Sequence, residues 1–365
     1  MAEKNTFNLL KHLAEITGPS GREGTIGSVV ADYLKPLVDR LWIDSWGNVI
    51  GLKRGSAGEG KLMIAAHMDE IGLFVSHIED EGYLRVVPIG GLIERSLIYQ
   101  RVLLATKGGR LLRGVIGLKP PHVIKPEELQ KVPELRELFV DIGASSREEA
   151  EKLGVSVGDV LVFDRDVVEL ASGRVTGKAF DDRVGLVALI KSAQLLESPK
   201  VDIYFVATVQ EEVGLKGAKT SAYSISPDVA LAIDVTIASD VPGVPKSEWF
   251  TRLGKGPAIK VADGRSASGL ITHPKIFSFL VELAEKYKVP YQVEIIPGGT
   301  TDASVIALNK EGVPAGTVSI PTRYIHSPIE VVDLGDINNS ALLVKYFAEE
   351  ASPQWLREVR GLVIK

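Results

Sequence analysis

The chain has 365 residues, of which 45% are hydrophobic, so it is long enough for about two domains with a sizeable core. Its 42 Lys and Arg residues are outnumbered by 47 Asp and Glu residues, and no basic block of the kind that binds nucleic acid or anionic lipid is present. There is no cysteine, which excludes disulfides, thiolate nucleophiles and cysteine-bound zinc.

Two further features bear on where the protein works. No stretch approaches the ~20 uncharged apolar residues of a membrane span, and the first residues, from Met1 to Asn5, carry no apolar signal region. We therefore expect a cytoplasmic protein with neither a nucleic-acid nor a membrane partner.

Only six Asn and six Gln residues occur, a scarcity of thermolabile side chains that favours a thermophilic source. A melting temperature in the mesophile range of about 45–65 °C would contradict that hypothesis.

The first part of the chain predicts helices followed by strands. Apolar residues recur at helical spacing over 7–14 and again over 29–37, on either side of a Gly- and Pro-containing break at 18–21. Short strands are predicted over 48–53 and 61–66.

The pattern changes between residues 71 and 166, where short β-like runs are separated by Gly and Pro. The runs cover residues 71–78, 83–88, 102–106, 110–116, 138–142 and 160–163. Many short strands at such spacing predict a small all-β barrel or sandwich. Because the candidate metal residues skip this segment, we interpret 71–166 as a domain inserted into a main domain formed by 1–70 and 167–365.

From residue 167 onward, strands and helices alternate. Helices are predicted over 181–196, 272–287, 302–309 and 335–350, and strands over 202–209, 227–233, 293–296 and 315–320. This alternation indicates an α/β fold in which a mixed, mostly parallel sheet is sandwiched by helices.

Two histidines and three carboxylates stand near the ends of these elements. His67 directly follows the strand 61–66, Glu212 follows the strand 202–209, and Asp234 follows the strand 227–233. His326 follows the strand 315–320 after a short connection, and Asp181 begins a helix, where free backbone N–H groups favour a carboxylate. Ligands of open α/β sheets bind outside the carboxyl ends of the strands, so we expect the five side chains to converge.

Imidazole nitrogens and carboxylate oxygens are ligands that suit zinc, cobalt and manganese. One carboxylate can bridge two metals and leave two ligands for each, and the neighbouring Glu211 could act as a base. Each residue alone has a simpler explanation: Asp181 as a helix cap, Glu211 and Glu212 as a solvated loop. Taken together, the five predict the site of a two-metal hydrolase.

Four motifs surround these residues: A-A-H-M-D-E-I-G at 65–72, K-A-F-D-D-R at 178–183, Q-E-E-V-G at 210–214 and P-T-R-Y-I-H-S-P at 321–328. They resemble the tetrahedral (TET) aminopeptidases, dinuclear metallo-aminopeptidases that include deblocking aminopeptidases and cellulase-M-like proteins once described as endoglucanases. The resemblance covers nearly the whole chain, including the inserted segment, and implies a zinc-peptidase-like fold.

The resemblance implies a set of metal ligands. Asp181 would bridge two divalent metal ions, zinc or cobalt, with His67 and Asp234 completing one site and Glu212 and His326 the other. The family's motif places the bridging Asp first, so Asp182 would be a neighbour joined to it by an unusual peptide bond.

It also implies catalytic roles and partners. Asp69 would accept the second N–H of His67, and Glu211 would act as general base and acid. Two cations would share a water and lower its pKa, which supplies hydroxide as the nucleophile. The substrates would be peptides with a free N-terminus. The family assembles through dimers into hollow dodecamers, with the inserted domain mediating part of that assembly, so a homo-oligomer is expected.

Three alternatives remain open at this point. A related metal-dependent deacylase or carboxypeptidase could use the same metal core. An endo-glucanase needs two carboxyl groups facing each other across a sugar, whereas Glu211 and Glu212 are adjacent. An inactive binding module would be indicated by a missing ligand or base, and none is missing here.

Overall fold

The computed structural model describes residues 2–123 and 131–361. Its α-helices are α1 (Ala2–Glu15), α2 (Gly24–Leu34), α3 (Glu94–Leu97), α4 (Arg147–Lys152), α5 (Phe180–Leu195), α6 (Lys216–Ile225), α7 (Pro274–Lys286), α8 (Asp302–Ala307), α9 (Leu334–Glu350) and α10 (Pro353–Val359). Among the described residues, no helix has the length and apolarity needed to cross a membrane.

Its strands are β1 (Arg40–Ile43), β2 (Val49–Lys53), β3 (Lys61–His67), β4 (Gly72–Ile78), β5 (Leu84–Ile89), β6 (Arg101–Ala105), β7 (Leu111–Gly117), β8 (Phe139–Asp141), β9 (Val160–Phe163), β10 (Val168–Glu169), β11 (Arg174–Gly177), β12 (Asp202–Thr208), β13 (Val229–Ile237), β14 (Ala258–Ala262), β15 (Gln292–Ile295), β16 (Ala315–Arg323) and β17 (Glu330–Asp333).

Eleven of these strands form one mixed sheet in the order β1-β2-β12-β3-β13-β16-β17-β11-β10, with β14 pairing to β16 and β15 pairing to β14. At its centre β12, β3, β13 and β16 run parallel to one another. Antiparallel pairs flank this centre on both sides. The α/β fold class predicted from the alternating elements is confirmed, with four parallel strands in the middle of the sheet and one further parallel pair, β14 with β15.

Helices cover both faces of the sheet. Along β3, the side chains of Leu62 and Ile64 pack into a core that includes α1, α5 and α9, while Met63 and Ala65 pack into a second core with α6 and α8. Successive side chains of a strand point to opposite faces, so this alternation places β3 between two layers of helices. The helix α5 is buried over nearly its whole length, as expected of a helix that is apolar on all sides.

The remaining six strands close into an antiparallel barrel in the order β4-β5-β8-β7-β6-β9. The barrel has its own apolar core, which includes Leu73, Leu84, Leu104 and Leu161. Its strands fall within the segment 71–166, so the expected small all-β barrel is confirmed. The boundaries assigned to two domains, 1–70 with 167–365 and 71–166, stay a prediction.

Several short strands and strands at the edge of the sheet were not predicted from the sequence. β10, β11 and β17 have only two to four residues each, and β14 was not separated from its surrounding loops. Such strands carry too few alternating residues to be distinguished from loops. The helix α6 also escaped, because Gly217 and the polar residues around it obscure the apolar stripe.

A buried arginine ties the start of the chain to the strand end that carries His67. Arg183 of α5 is fully buried, and its guanidinium donates to the carbonyl oxygens of Met68 at 2.9 Å and Ile16 at 3.1 Å. Glu70 lies 3.6 Å from the same guanidinium and also pairs with Lys178 at 2.8 Å. A planar guanidinium with several fixed donors suits such a junction better than an ammonium group does.

We expect Arg183→Met to lower the free energy of unfolding by about 3 kcal/mol, because it leaves the buried carbonyl oxygens without this donor and removes one of the two cations beside the Glu70 carboxylate. The control is Arg357→Met, which removes an exposed ion pair with Glu59 and should cost under about 1 kcal/mol. Chemical denaturation of both variants at equal protein concentration measures the difference. Equal stability losses would show that the buried junction contributes nothing special.

Candidate metal centre

The candidate residues lie at the carboxyl edge of the parallel strands. His67 is the last residue of β3 and pairs in register with Thr208, the last residue of β12. Glu212 follows β12 in the turn that leads to α6, and His326 lies in the turn between β16 and β17. Asp181 is the second residue of α5, and the peptide bond that joins it to Asp182 is cis.

Asp234 is placed differently from the prediction. The strand expected to end at 233 continues to Ile237, so Asp234 lies inside β13 and pairs in register with Ser319 of β16. Its carboxylate Oδ1 still lies 4.0 Å from Nε2 of His67. The side chain therefore reaches the same edge of the sheet from within a strand.

The five side chains form two groups that share Asp181. His67, Asp181 and Asp234 bring their ligand atoms within 4.8 Å of one another, and so do Asp181, Glu212 and His326. Nε2 of His67 lies 3.0 Å from Oδ1 of Asp181, while Nε2 of His326 lies 3.2 Å from Oδ2. Asp181 thus turns one oxygen toward each histidine and belongs to both groups.

The electrostatics of the groups reflect crowding of buried acids. Burial, together with the nearby Asp181 carboxylate, raises the pKa of Asp234 to about 8 and also raises the pKa of Glu212. Burial acts in the same direction on Asp181, but hydrogen bonds to the His326 and His67 imidazoles hold its pKa below the usual range. Burial opposes charge on His326, yet its contacts with Asp181 and Glu212 raise its pKa to about 11.

The donor set fits divalent cations. Imidazole nitrogens and carboxylate oxygens are the ligands of zinc and of neighbouring transition metals. Oε1 of Glu212 is buried, and Nε2 of His326 lies 3.2 Å from it without hydrogen-bond geometry. Several buried carboxylates around two imidazoles are costly to ionise, and coordination to a cation lowers that cost.

Asp69 fixes the backbone beside the two groups. Its carboxylate accepts from the N–H groups of Glu211 at 3.0 Å and Glu212 at 3.2 Å, and from Oγ of Ser20 at 2.6 Å. Nδ1 of His67 lies 3.1 Å from the Asp69 carbonyl oxygen and 3.5 Å from its carboxylate. The backbone carbonyl is therefore the nearer acceptor for the second nitrogen of His67.

Glu330 is a residue that the sequence reasoning missed. This buried carboxylate at the start of β17 accepts from the backbone N–H of Asp181 at 3.0 Å and of His326 at 2.9 Å. It holds two residues of the second group by their main chains. Only its position as an acid opening an apolar strand (E-V-V) would have signalled it.

Glu211 stands beside the groups without belonging to either. Its Oε2 lies 4.0 Å from Nε2 of His67, and its side chain is 11% exposed. Burial raises the pKa of this carboxyl group well above its usual range, and the charge of Asp234 adds to that effect. The carboxyl group can therefore take up and hold a proton next to the candidate ligands.

A cavity of about 650 Å³ opens in front of the two groups, and both Glu211 and Glu212 lie on its wall. Its other walls are largely apolar, with Lys260 as a buried cation among them. The apolar lining residues include Leu92, Ile93, Ile237, Ile296 and Ile325. A site of this size can accept a side chain and part of a peptide backbone.

Comparison with known proteins gives consistent matches over most of the chain. A family model described as M42 glutamyl aminopeptidase matches residues 47–343. The lysyl aminopeptidase of Pyrococcus furiosus is 42% identical over 351 residues, which cover 95% of this chain and 98% of that protein. Aminopeptidase APDkam598 from the archaeon Desulfurococcus kamchatkensis is 66% identical, with a TM-score of 0.96 and coverage of 100% of this chain and 99% of that chain.

Two further solved structures bear on assembly. The TET1 peptidase of Pyrococcus horikoshii, which can assemble into a tetrahedron or a large octahedral shell, is 35% identical, with a TM-score of 0.83 and coverage of 95% of this chain and 100% of that chain. The structure of PhTET1-12s, with a dodecamer in the asymmetric unit, is also 35% identical at a TM-score of 0.83, covering 94% and 99%. On the family match and the two aminopeptidase relatives, this chain belongs to the M42 family of metal-dependent aminopeptidases, hydrolases that act on peptide bonds.

Proposed function

We propose that this M42 aminopeptidase uses a dinuclear metal centre to release the N-terminal residue of peptides. The observation that carries the proposal is the Asp181 carboxylate, which presents one oxygen to His67 and the other to His326. A single carboxylate in this position joins two ligand groups on the wall of one cavity.

In this proposal His67 and Asp234 complete the first metal site, and Glu212 and His326 complete the second. Zinc and cobalt both suit these ligands, and the ligand types do not choose between them. When bound, the two cations supply Lewis-acid activation of a water molecule and of the scissile carbonyl. Asp69 and Glu330 keep the ligand segments in place through the backbone N–H groups that they accept.

Glu211 is the proposed general base and acid. Its buried carboxylate faces the cavity 4.0 Å from His67, and its raised pKa suits a group that alternates between holding and releasing a proton. Oε2 would accept a proton from the attacking water and deliver it to the departing amine nitrogen.

The alternatives separate by substrate. A deacylase or carboxypeptidase would not require a free α-amine. An endo-glucanase would use two carboxyl groups about 5–9 Å apart across the sugar, whereas the acids here gather around two histidines on one side of the cavity. The metal-ligand grouping therefore favours amide hydrolysis over sugar cleavage, and the need for a free α-amine distinguishes the aminopeptidase from the other two.

We expect Glu211→Gln to keep its metal and lose at least about 100-fold in kcat, because it removes the proton carrier and keeps the ligands. Asp181→Ala should lose metal as well as activity, since both groups share that carboxylate. Elemental analysis of dialysed protein and a leucine p-nitroanilide assay measure the two effects. Glu282→Gln, on the exposed side of α7, is the matched control and should behave as wild type. Near-normal turnover by Glu211→Gln would overturn the base assignment.

We expect hydrolysis of a free-amine peptide and none of its N-acetylated form, because the α-amine must be held at the metal centre. Chromatography of the products from the free, acetylated and C-terminally amidated forms of one peptide measures this. Enzyme stripped of metal and restored with zinc, cobalt or manganese should regain activity in the same assay. Cleavage that ignores the acetyl group would favour the deacylase or carboxypeptidase alternative.

We also propose that the chain assembles through dimers into a dodecamer, with the barrel forming the dimer contact. Support comes from the assemblies of the TET1 relatives and from apolar barrel residues that are open to solvent in the single chain, among them Leu111 at 56% and Val115 at 44% exposed. Light scattering at micromolar concentration should give twelve times the 39.4 kDa chain mass. A solution containing only monomer would refute the assembly.

A further inference from the structure

A second cavity, of about 360 Å³, is bordered by Tyr324, which also borders the cavity in front of the candidate metal centre. Tyr324 lines both cavities, so its side chain forms a wall common to the two. Ser327 also lines the second cavity, and it directly follows the candidate ligand His326. The barrel side contributes Gln100, at the end of the loop before β6, and Arg165, just after β9.

Arg165 is the distinctive group in this cavity. Its guanidinium donates to Oε1 of Gln100, while its Nε is buried and has no hydrogen-bond partner among the described residues. Within residues 2–123 and 131–361, no carboxylate lies within ion-pair distance of it. Of the two acids next to it in sequence, Asp164 is paired with Arg101 and Arg113, and the exposed Asp166 makes no ion pair with this guanidinium. Because Nε is closed off from solvent, the donors that a ligand can reach are those of the terminal nitrogens.

A planar guanidinium matches a carboxylate, which it binds through two parallel N–H···O bonds. The remaining walls suit a peptide chain: Tyr324, Pro328 and Ile329 offer apolar surface. An extended peptide advances about 3.3–3.6 Å per residue. Because Tyr324 borders both cavities, an extended chain of a few residues that starts at the metal groups and runs over this side chain would enter the cavity that Arg165 lines.

We infer that this second cavity is a subsite for a carboxylate on the departing part of the substrate, bound by the terminal nitrogens of Arg165. The carboxylate is either the C-terminus of a short peptide or an acidic side chain near the cleaved bond. The inference rests on the proposed aminopeptidase function, and it makes short peptides with a free C-terminus the favoured substrate class. Arg165 contacts substrate away from the reacting atoms, so it acts on KM and leaves the chemistry unchanged.

The test compares Leu-Gly-Gly-Gly as the free acid, the same peptide as the C-terminal amide, and the amide of Leu-Gly-Glu-Gly. Leucine p-nitroanilide, which has no departing peptide, reports the metal centre alone. In the wild-type protein we expect a lower KM for the free acid than for the amide. Arg165→Met should raise the free-acid KM by about tenfold, the loss expected for a charge-assisted pair, and leave the p-nitroanilide kinetics unchanged. Recovery of low KM by the glutamyl amide would identify an acidic side chain as the second source of the carboxylate.

Two controls make the result specific. Arg113→Met removes the same charge from the barrel without touching the cavity, and it should leave every KM unchanged. Arg165→Lys keeps the charge without the planar fork and should fall between wild type and Arg165→Met. Because the wild-type comparison of acid and amide needs no variant, poor folding of either substitution does not remove the test.

Equal KM values for acid and amide in the wild-type protein would overturn the inference, and so would an Arg165→Met effect of the same size on p-nitroanilide. Absence of p-nitroanilide hydrolysis by metal-loaded wild type would instead count against the proposed function. In that case calorimetric binding of the acid and amide peptides to wild type and to Arg165→Met still decides whether the cavity holds a carboxylate.

Discussion

The rest of the site depends on the position of one carboxylate, Asp181, which contacts the imidazoles of both His67 and His326. Oδ1 of Asp181 lies 3.0 Å from His67, and Oδ2 lies 3.2 Å from His326. A carboxylate is rigid and planar, so this contact fixes the spacing between the two ligand groups. The surrounding acids raise one another's pKa through burial and repulsion, which makes the arrangement costly unless positive charge is present. The geometry and the electrostatics therefore both favour positive charge at this position, which a bound divalent cation would supply.

Two further buried acids, Asp69 and Glu330, fix the backbone of the residues whose side chains form the site. Asp69 accepts from the N–H groups of Glu211 and Glu212, and Glu330 accepts from those of Asp181 and His326. Each anchor thus binds two residues that belong to the site. Burial and the Asp181 charge raise the pKa of Glu330 to about 8, so this anchor is itself sensitive to the charge of the group that it supports. The acids of the site thus have two roles. Asp181, Glu211, Glu212 and Asp234 line the cavity, whereas Asp69 and Glu330 bind backbone N–H groups.

The sequence predicted those residues of the site that lie where a parallel strand ends or a helix begins. His67 and Glu212 follow parallel strands, and Asp181 opens a helix, so their convergence could be expected from the sheet edge alone. Asp234 was identified for a partly wrong reason, since its strand continues for three residues beyond it. Glu330 was missed because it acts through backbone N–H groups, which leave no residue pattern. The roles of the ligands came from resemblance, and the cytoplasmic location and thermophilic source stay predictions.

The inserted barrel contributes to the site through close contact as well as through its own fold. A Cβ atom at Gly91 would lie 3.0 Å from Nδ1 of His326, and one at Gly90 would lie 2.9 Å from Ile71 and 3.3 Å from Cβ of Glu212. Gly90 also has a φ of 75°, which side chains rarely adopt. A side chain at either position would therefore press on Ile71 or on the second ligand group. Leu92 and Ile93, next along this loop, line the large cavity, and Gln100 lines the smaller one. The same inserted segment thus lies against a candidate ligand group and forms part of the wall of each cavity, so a change in the barrel's packing would change the shape of both cavities.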